Sequence, residues 1–358
     1  MPASPPPAVA PDAIFDAVVV GGGPGGLSAA LWLARYRRKA LLVDAGEHRN
    51  RWTEQAHGYL GSDPVDPAEL LGRARSQLGR YDTAACVQDS VTAIRRSAGD
   101  GFTVERTGGT PVAARRIVLA TGVRDEFPAV EGFFDHYGAS VFHCPSCDAY
   151  EARDRRVVVL GWGAQITGFA LELLDWAATV TVVTDRESLA AAPAHRRSLL
   201  DRGVEVVEDR PAGLIGARGA LEALEVAGGA RLPCDMAFFT IDHAPLTGLA
   251  EQLGCRLGPE GYVEVDDCGR TSVEGVYAAG DLTPGLQLVQ VAAAKARVGR
   301  DGVRDVAARG PRRPRRSGAR PGRGGGHRWL TAAAAPRCVE NRPGEWSPGS
   351  PLDRGHSP

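Results

Sequence analysis

Several features are scarce in this 358-residue chain, and each scarcity closes off a class of protein. Seven cysteines are too few for a disulfide-stapled secreted domain of this length. The eight histidines form no H-x₃₋₅-H pair and only one C-x-x-C occurs, so four zinc ligands do not assemble by spacing. No run approaches the roughly 18 apolar residues of a membrane helix. Lys39 and Lys295 are the only lysines, so nearly all positive charge is arginine, which points to a GC-rich gene rather than to a function. The opening segment MPASPPPAVAPDA is proline-rich and lacks both the basic and the apolar stretch of an export signal. It is expected to be a disordered lead over residues 1–13. A soluble, cytoplasmic enzyme that neither enters membranes nor binds nucleic acid is expected from this composition.

What is present begins with IFDAVVVGGGPGGLSAALWLA. The apolar run Val18 to Val20 reads as a buried parallel strand. Gly21, Gly23 and Gly26 then fit G-x-G-x-x-G at the turn into an Ala/Leu-rich helix. The first glycine permits a tight turn, the second lets backbone approach a pyrophosphate, and the third lets helix and strand pack closely. The helix N-terminus adds unpaired N–H groups and partial positive charge. The strand KALLVDAG places Asp44 eighteen residues after Gly26, where an acid binds ribose hydroxyls.

A second unit of the same kind, DRRVVVLGWGAQITGFALELLDWAATVTVVTD, is less regular. Gly161 and Gly163 fill the first two glycine positions, but Ile166 holds the third. The following strand ends in Asp185, which accepts from a ribose 2′-hydroxyl and repels a 2′-phosphate, favouring NADH over NADPH if the site functions. The bland alternative is a Rossmann-like unit without a tight nucleotide. Ahead of this unit lies Cys144-Pro145-Ser146-Cys147-Asp148. The pair is expected to be a redox dithiol, with half a zinc site or incidental spacing as the alternatives. A thiolate rather than a thiol attacks a disulfide, so a proton acceptor is needed nearby. Asp148 and His143 flank the cysteines; a turn or helix cap for the first and a structural role for the second are the competing roles.

Two further strands, in RRIVLATGVRDEFP (115–128) and TSVEGVYAAGDLTPG (271–285), end in Gly122 and in Gly280-Asp281. In this order, over roughly residues 14–295, the five motifs resemble the low-molecular-weight thioredoxin reductases, FAD-dependent pyridine nucleotide-disulfide oxidoreductases. The resemblance implies an α/β fold with two Rossmann-like, three-layer dinucleotide-binding domains, the NAD(P)-type domain inserted in a split FAD domain. The implied parts are an FAD domain at 14–123 and 243–296 and an NAD(P)H and dithiol domain at 124–242. Gly21, Gly23, Gly26 and Asp44 would hold the ADP half of FAD, and Gly122 would end the strand that passes near the cofactor. Thr271, Tyr277, Gly280 and Asp281 fit T-x₅-Y-x-x-G-D, whose aspartate binds the ribityl chain; alone, Asp281 reads as a helix cap. Asp148 would be the acid/base, Cys147 would face the flavin, and Cys144 would attack substrate. A homodimer acting on a thioredoxin-like protein or a small disulfide or dithiol is implied as well.

Residues 297–358 differ from everything before them. They carry a formal charge of +9, which leaves −10 for residues 1–296, and hold eleven Gly and eight Pro. Such a segment cannot bury a core and is expected to be a disordered basic tail. A nucleic-acid arm would need interleaved aromatics or a basic helix, which are lacking. Where similar flavoproteins read Ala-Ala-Glu-Gly, this chain reads Ala294-Lys295-Ala296, and loss of one G from GAA-GGC yields Lys-Ala. The tail therefore reads as a shifted frame that cuts short the last helix of the FAD domain. Three functions remain open: a disulfide reductase fed by NAD(P)H, an oxygen-dependent dithiol oxidase of the same fold favoured by Ile166, and a non-catalytic or defective flavoprotein.

Overall fold

The computed structural model describes residues 13–97, 99–161, 165–184, 189, 193–240 and 242–296. The lead up to residue 12, the basic tail, Gly163 and Asp185 lie outside the described residues, while Ala13, assigned to the lead, packs against the core of the first unit.

The first unit is built on a five-stranded parallel sheet in the spatial order Val276–Ala278, Ile117–Leu119, Ala17–Val20, Ala40–Asp44, Ala84–Gln88. Continuous β-branched and aliphatic runs suit these strands because both faces are covered. Val18, Val19, Leu41, Leu42 and Val118 are fully buried. One face receives Leu27, Ala30, Leu33 and Ala34 of the helix Pro24–Arg35. The other meets Phe15, Ile94, Phe102, Val104 and Val112, which come mainly from a four-stranded sheet of Ile14–Phe15, Val112–Ala114, Phe102–Arg106 and Val91–Arg96. Pro24 starts the helix where its missing N–H costs nothing.

The second unit repeats this plan. Its parallel sheet runs Val141–Phe142, Met236–Phe239, Arg156–Leu160, Thr179–Val183, Glu205–Val207. Helices Ile166–Leu173 and Pro193–Asp201 supply Ile166, Ala170, Leu173 and Leu199 to one face. An antiparallel sheet of Pro211–Ala217, Ala220–Val226 and Arg231–Pro233 supplies Leu221, Leu224 and Val226 to the other. Each unit is thus three layers, helix, parallel sheet and antiparallel sheet, with the second inserted between segments of the first.

The chain leaves and re-enters the first unit through neighbouring strands. Val123–Asp125 pairs antiparallel with His243–Pro245, so that Asp125 faces His243 and Val123 faces Pro245. A second tie lies away from this crossing. The Arg218 guanidinium donates to Glu54 Oε1 at 2.7 Å and to the carbonyls of Trp52, Asp135 and Tyr137. The Trp52 and Phe134 rings meet beside it, 5.0 Å between centroids. Among the described residues no helix is long and apolar enough to cross a membrane.

Candidate active site

A cavity of about 860 Å³ runs from the first glycine turn to the cysteine pair. Its near end is backbone. Gly21 adopts φ +104°, and a Cβ there would run into the Ala120 carbonyl. A Cβ on Gly26 would collide with the Gly21 carbonyl oxygen, so helix and strand can approach this closely only with glycine at both positions. Gly23 caps the helix and faces open space, leaving the first N–H groups accessible to an anion.

Asp44 sits at the end of its strand beside this turn. Its Oδ1 accepts from the N–H groups of Gly22 and Gly46 at 3.1 and 3.2 Å. Its Oδ2 accepts from Arg75 at 2.6 Å. Arg75 lies on the helix Pro67–Leu78, and no local motif announces it. Gly122, at φ +72°, uses its carbonyl to accept the Leu246 N–H at 2.9 Å, fastening the returning chain to the cavity wall.

Gly280 turns at φ +71° and packs on Gly25, whose Cβ would lie 3.0 Å from the Gly280 Cα. Asp281 follows and does not cap the next helix: Val289–Lys295 starts from Leu288 with no side-chain cap. The Asp281 Oδ1 is buried without a partner, and Oδ2 stands 3.5 Å from Arg49 Nη1. Burial raises its carboxyl, against the opposing pull of Arg49 and Lys295. Thr271 braces the preceding turn, donating to the Val276 carbonyl at 3.0 Å, and Tyr277 is core.

Arg49 organises a group that sequence reading missed. It grips Asp125 through Nε and Nη2 and donates to Gln287 Oε1 at 2.5 Å. Gln287 in turn meets His243 and Tyr262, and the His243 Nδ1 is buried without a partner. The five residues that converge here, Arg49, Asp125, His243, Tyr262 and Gln287, lie far apart along the chain, which is why no spacing rule reveals them.

At the far end, Cys144 and Cys147 are joined as a disulfide with 5.2 Å between their Cα atoms. Cys144 is the N-cap of the one-turn helix Pro145–Asp148, and the Cys147 N–H donates to the Cys144 carbonyl. Both half-buried cysteines line the cavity together with Asp148, His143 and His57. The Asp148 carboxylate makes no capping hydrogen bond to the following 3-10 turn Ala149–Ala152. Burial, and then the charge of Glu151, push it up to about 7. His143 is driven the other way, to about 4, by burial and then by Arg49, and its Nδ1 meets the Tyr137 hydroxyl at 3.1 Å. It is therefore a neutral, positioned ring at physiological pH, whereas Asp148 is poised to take or give a proton.

The second glycine turn is built differently. Ile166 is fully buried, and a Cβ on Gly161 would lie 2.8 Å from the Ile166 Cδ1. The isoleucine side chain fills the space beneath the turn that a glycine or alanine would leave. Among the described residues, none lining the cavity comes from 149–243.

A glycine-walled dinucleotide cradle that opens onto a disulfide, beside a second Rossmann-like unit, defines a flavin-type disulfide oxidoreductase. Residues 15–296 match the pyridine nucleotide-disulphide oxidoreductase family, and the chain belongs to it as a thioredoxin reductase-like, FAD-dependent enzyme. It is 33% identical to thioredoxin reductase tcpT of Claviceps purpurea over 286 residues, 75% of this chain and 86% of that protein. The crystal structure of HlmI superposes with a TM-score of 0.77 at 34% identity, covering 82% of this chain and 92% of the other. The putative thioredoxin reductase TrxB of Bacillus anthracis superposes equally well, 0.77, at 27% identity over 82% and 98%.

The residues present fit FAD. The glycine turn has room for a pyrophosphate, and Asp281, which lines the cavity with its Oδ1 buried and unpartnered, has acceptor capacity that a hydroxyl-bearing chain would use. The family uses FAD with NAD(P)H generally.

Proposed function

We propose that this protein transfers electron pairs between NAD(P)H and a disulfide substrate by way of FAD and the Cys144/Cys147 pair. The observation that carries the reading is that the disulfide opens onto the same cavity as the glycine cradle. FAD supplies the two-electron relay when bound. Gly21, Gly23, Gly26, Gly122 and Gly280 shape its backbone walls, while Asp44, held by Arg75, and Asp281 offer acceptors to its hydroxyls. The FAD domain comprises 14–123 and 243–296, and the inserted domain 124–242. In this reading Cys147 faces the flavin and Cys144 exchanges with substrate. Asp148 holds the proton that a thiol gives up on becoming a thiolate and returns it when the thiolate leaves a mixed disulfide. The relatives named thioredoxin reductase support a thioredoxin-like protein as substrate; in this reading a small disulfide is the alternative substrate and a homodimer the working unit. NADH is the favoured donor in this reading, because Asp185 follows the second glycine pattern, Gly161 and Gly163, at the sequence position where an acid repels a 2′-phosphate.

Ile166 favours a second reading. Its side chain, packed under Gly161, works against close approach of a pyrophosphate. A dithiol oxidase needs no nicotinamide: a substrate dithiol loses two electrons and two protons to become a disulfide, and oxygen takes both pairs to give hydrogen peroxide.

Anaerobic titration of the purified yellow protein separates the two. Bleaching by NADH at catalytic rates supports the reductase. Bleaching by dithiothreitol but by neither nicotinamide, with colour restored by oxygen, supports the oxidase. A protein that cannot be loaded with FAD would sink both.

A further inference from the structure

One carboxylate beside the dithiol is not used by the chemistry above. Glu151 stands in the short 3-10 turn Ala149–Ala152, three residues past Asp148, and its Oε2 is buried without a partner. Its Oε1 lies 3.8 Å from the Nε2 of His57. His57 comes from the first unit and lines the same cavity as the disulfide. Its other ring nitrogen, Nδ1, is 3.1 Å from Asp63 Oδ1. Two backbone hydrogen bonds between Ala56 and Val65, 2.7 and 3.1 Å, close the base of this loop and fix where the imidazole points. A histidine is thus held between carboxylates of the two units, on the wall of the cavity that contains both cysteines and Asp148.

We propose that Glu151, tethered from the facing unit by His57, is a positioning residue that holds the proton on Asp148 during dithiol exchange. The inference rests on the acid–base role proposed above for Asp148. A like charge three residues along, in the adjoining turn, disfavours the ionised carboxylate, and Glu151 is the second cause, after burial, that lifts Asp148. The remaining surroundings of Asp148 offer little competition. Tyr137, at the end of the helix Phe133–His136, stays a protonated phenol because burial and then Asp125 raise it. Arg49 is committed to Asp125. The helix Ile166–Leu173, packed nearby, buries Ile166, Thr167, Ala170 and Leu173, none of them charged. In the forward direction a proton leaving a cysteine thiol passes to Asp148 and then to water. In the reverse direction it returns by the same route.

The test is the pH profile of anaerobic flavin bleaching by dithiothreitol, in the FAD-loaded full chain, between about pH 5 and 9. The wild-type profile should show a limb near neutrality. E151Q should move that limb down by roughly one pH unit. H57Q, which frees Glu151 from its tether, should move the limb in the same direction as E151Q and by less. Purely structural damage changes FAD content or the maximal rate and leaves the limb where it was. Coincident limbs in wild type and E151Q would overturn the proposal. D148N distinguishes the two levels. If D148N loses the limb while E151Q does not shift it, Asp148 stands and the Glu151 assignment falls. If D148N keeps the wild-type limb, the Asp148 role itself is wrong and both fall.

Discussion

Replacing Asp148 by asparagine should make the protein more stable and less active, with the stability gain confined to one pH range. Asp148 is 8% exposed, and its carboxyl lies at about 7 instead of the ordinary 3.8, because burial and Glu151 oppose its charge. An acid whose folded value is raised keeps its proton in the folded state while the unfolded chain has already lost it. Between pH 4 and 7 the unfolded state binds fewer protons, so stability falls as pH rises, by about 1.4 kcal/mol per pH unit. Below pH 4 both states are protonated and the cost vanishes. Above pH 7 both are ionised and the cost has reached its ceiling, about 4 kcal/mol for a shift of about three units. D148N carries no such cost. Its thermal midpoint should match that of wild type at pH 4 and exceed it by roughly 8–16 °C at pH 8, a scale set by about 2–4 °C per kcal/mol for domains of this size. The assay is a set of melting curves followed by the emission of released FAD, at fixed salt and cofactor, alongside disulfide turnover. A gap that does not change with pH, or a D148N protein less stable than wild type at pH 8, would refute the reasoning.

Other expectations follow from the same geometry. D281A should leave a ribityl hydroxyl unpaired and weaken FAD by about 1–3 kcal/mol, a loss of roughly 5- to 150-fold readable by cofactor titration; unchanged affinity would place the cofactor elsewhere. C144S and C147S should each abolish disulfide turnover and retain the flavin spectrum, since the mixed disulfide needs a second thiolate to resolve it. G26A should cost FAD retention and much of the soluble yield, because its Cβ has no room against the Gly21 carbonyl; a normally yellow G26A protein would show that helix and strand can part. Stopped-flow reduction should be faster with NADH than with NADPH, and D185R should narrow the difference. The opposite preference would mean that the acidic strand end does not contact the ribose.

What the sequence made legible was mostly backbone. Gly21, Gly26 and Gly280 occupy positions where a Cβ or a negative φ is excluded, and such constraints leave glycine at fixed spacing. The parallel strands were legible for a related reason: burial on both faces demands unbroken runs like Val18–Val20 and Val157–Val159. Polar pairings were not legible. Arg49 with Asp125 and Gln287, Arg75 with Asp44, and His57 with Glu151 each join segments that only the fold brings together. Asp148 and His143 could be placed beside the cysteines by reading, yet their opposite shifts depend on burial, which no spacing encodes. Ile166 was visible as a departure from the glycine pattern, but that its side chain occupies the space beneath Gly161 is a fact of packing.

The paired strands at Val123–Asp125 and His243–Pro245 have a consequence for how such a chain can change. Asp125 and His243 lie directly opposite each other, so the two ends of the insertion are as close as the ends of a hairpin turn. A folded guest with its termini that near asks the host sheet to close only a short gap, and the entropy of closure then hardly depends on the guest's length. The inserted unit is in effect a cassette, and the crossing itself is where a graft would be made.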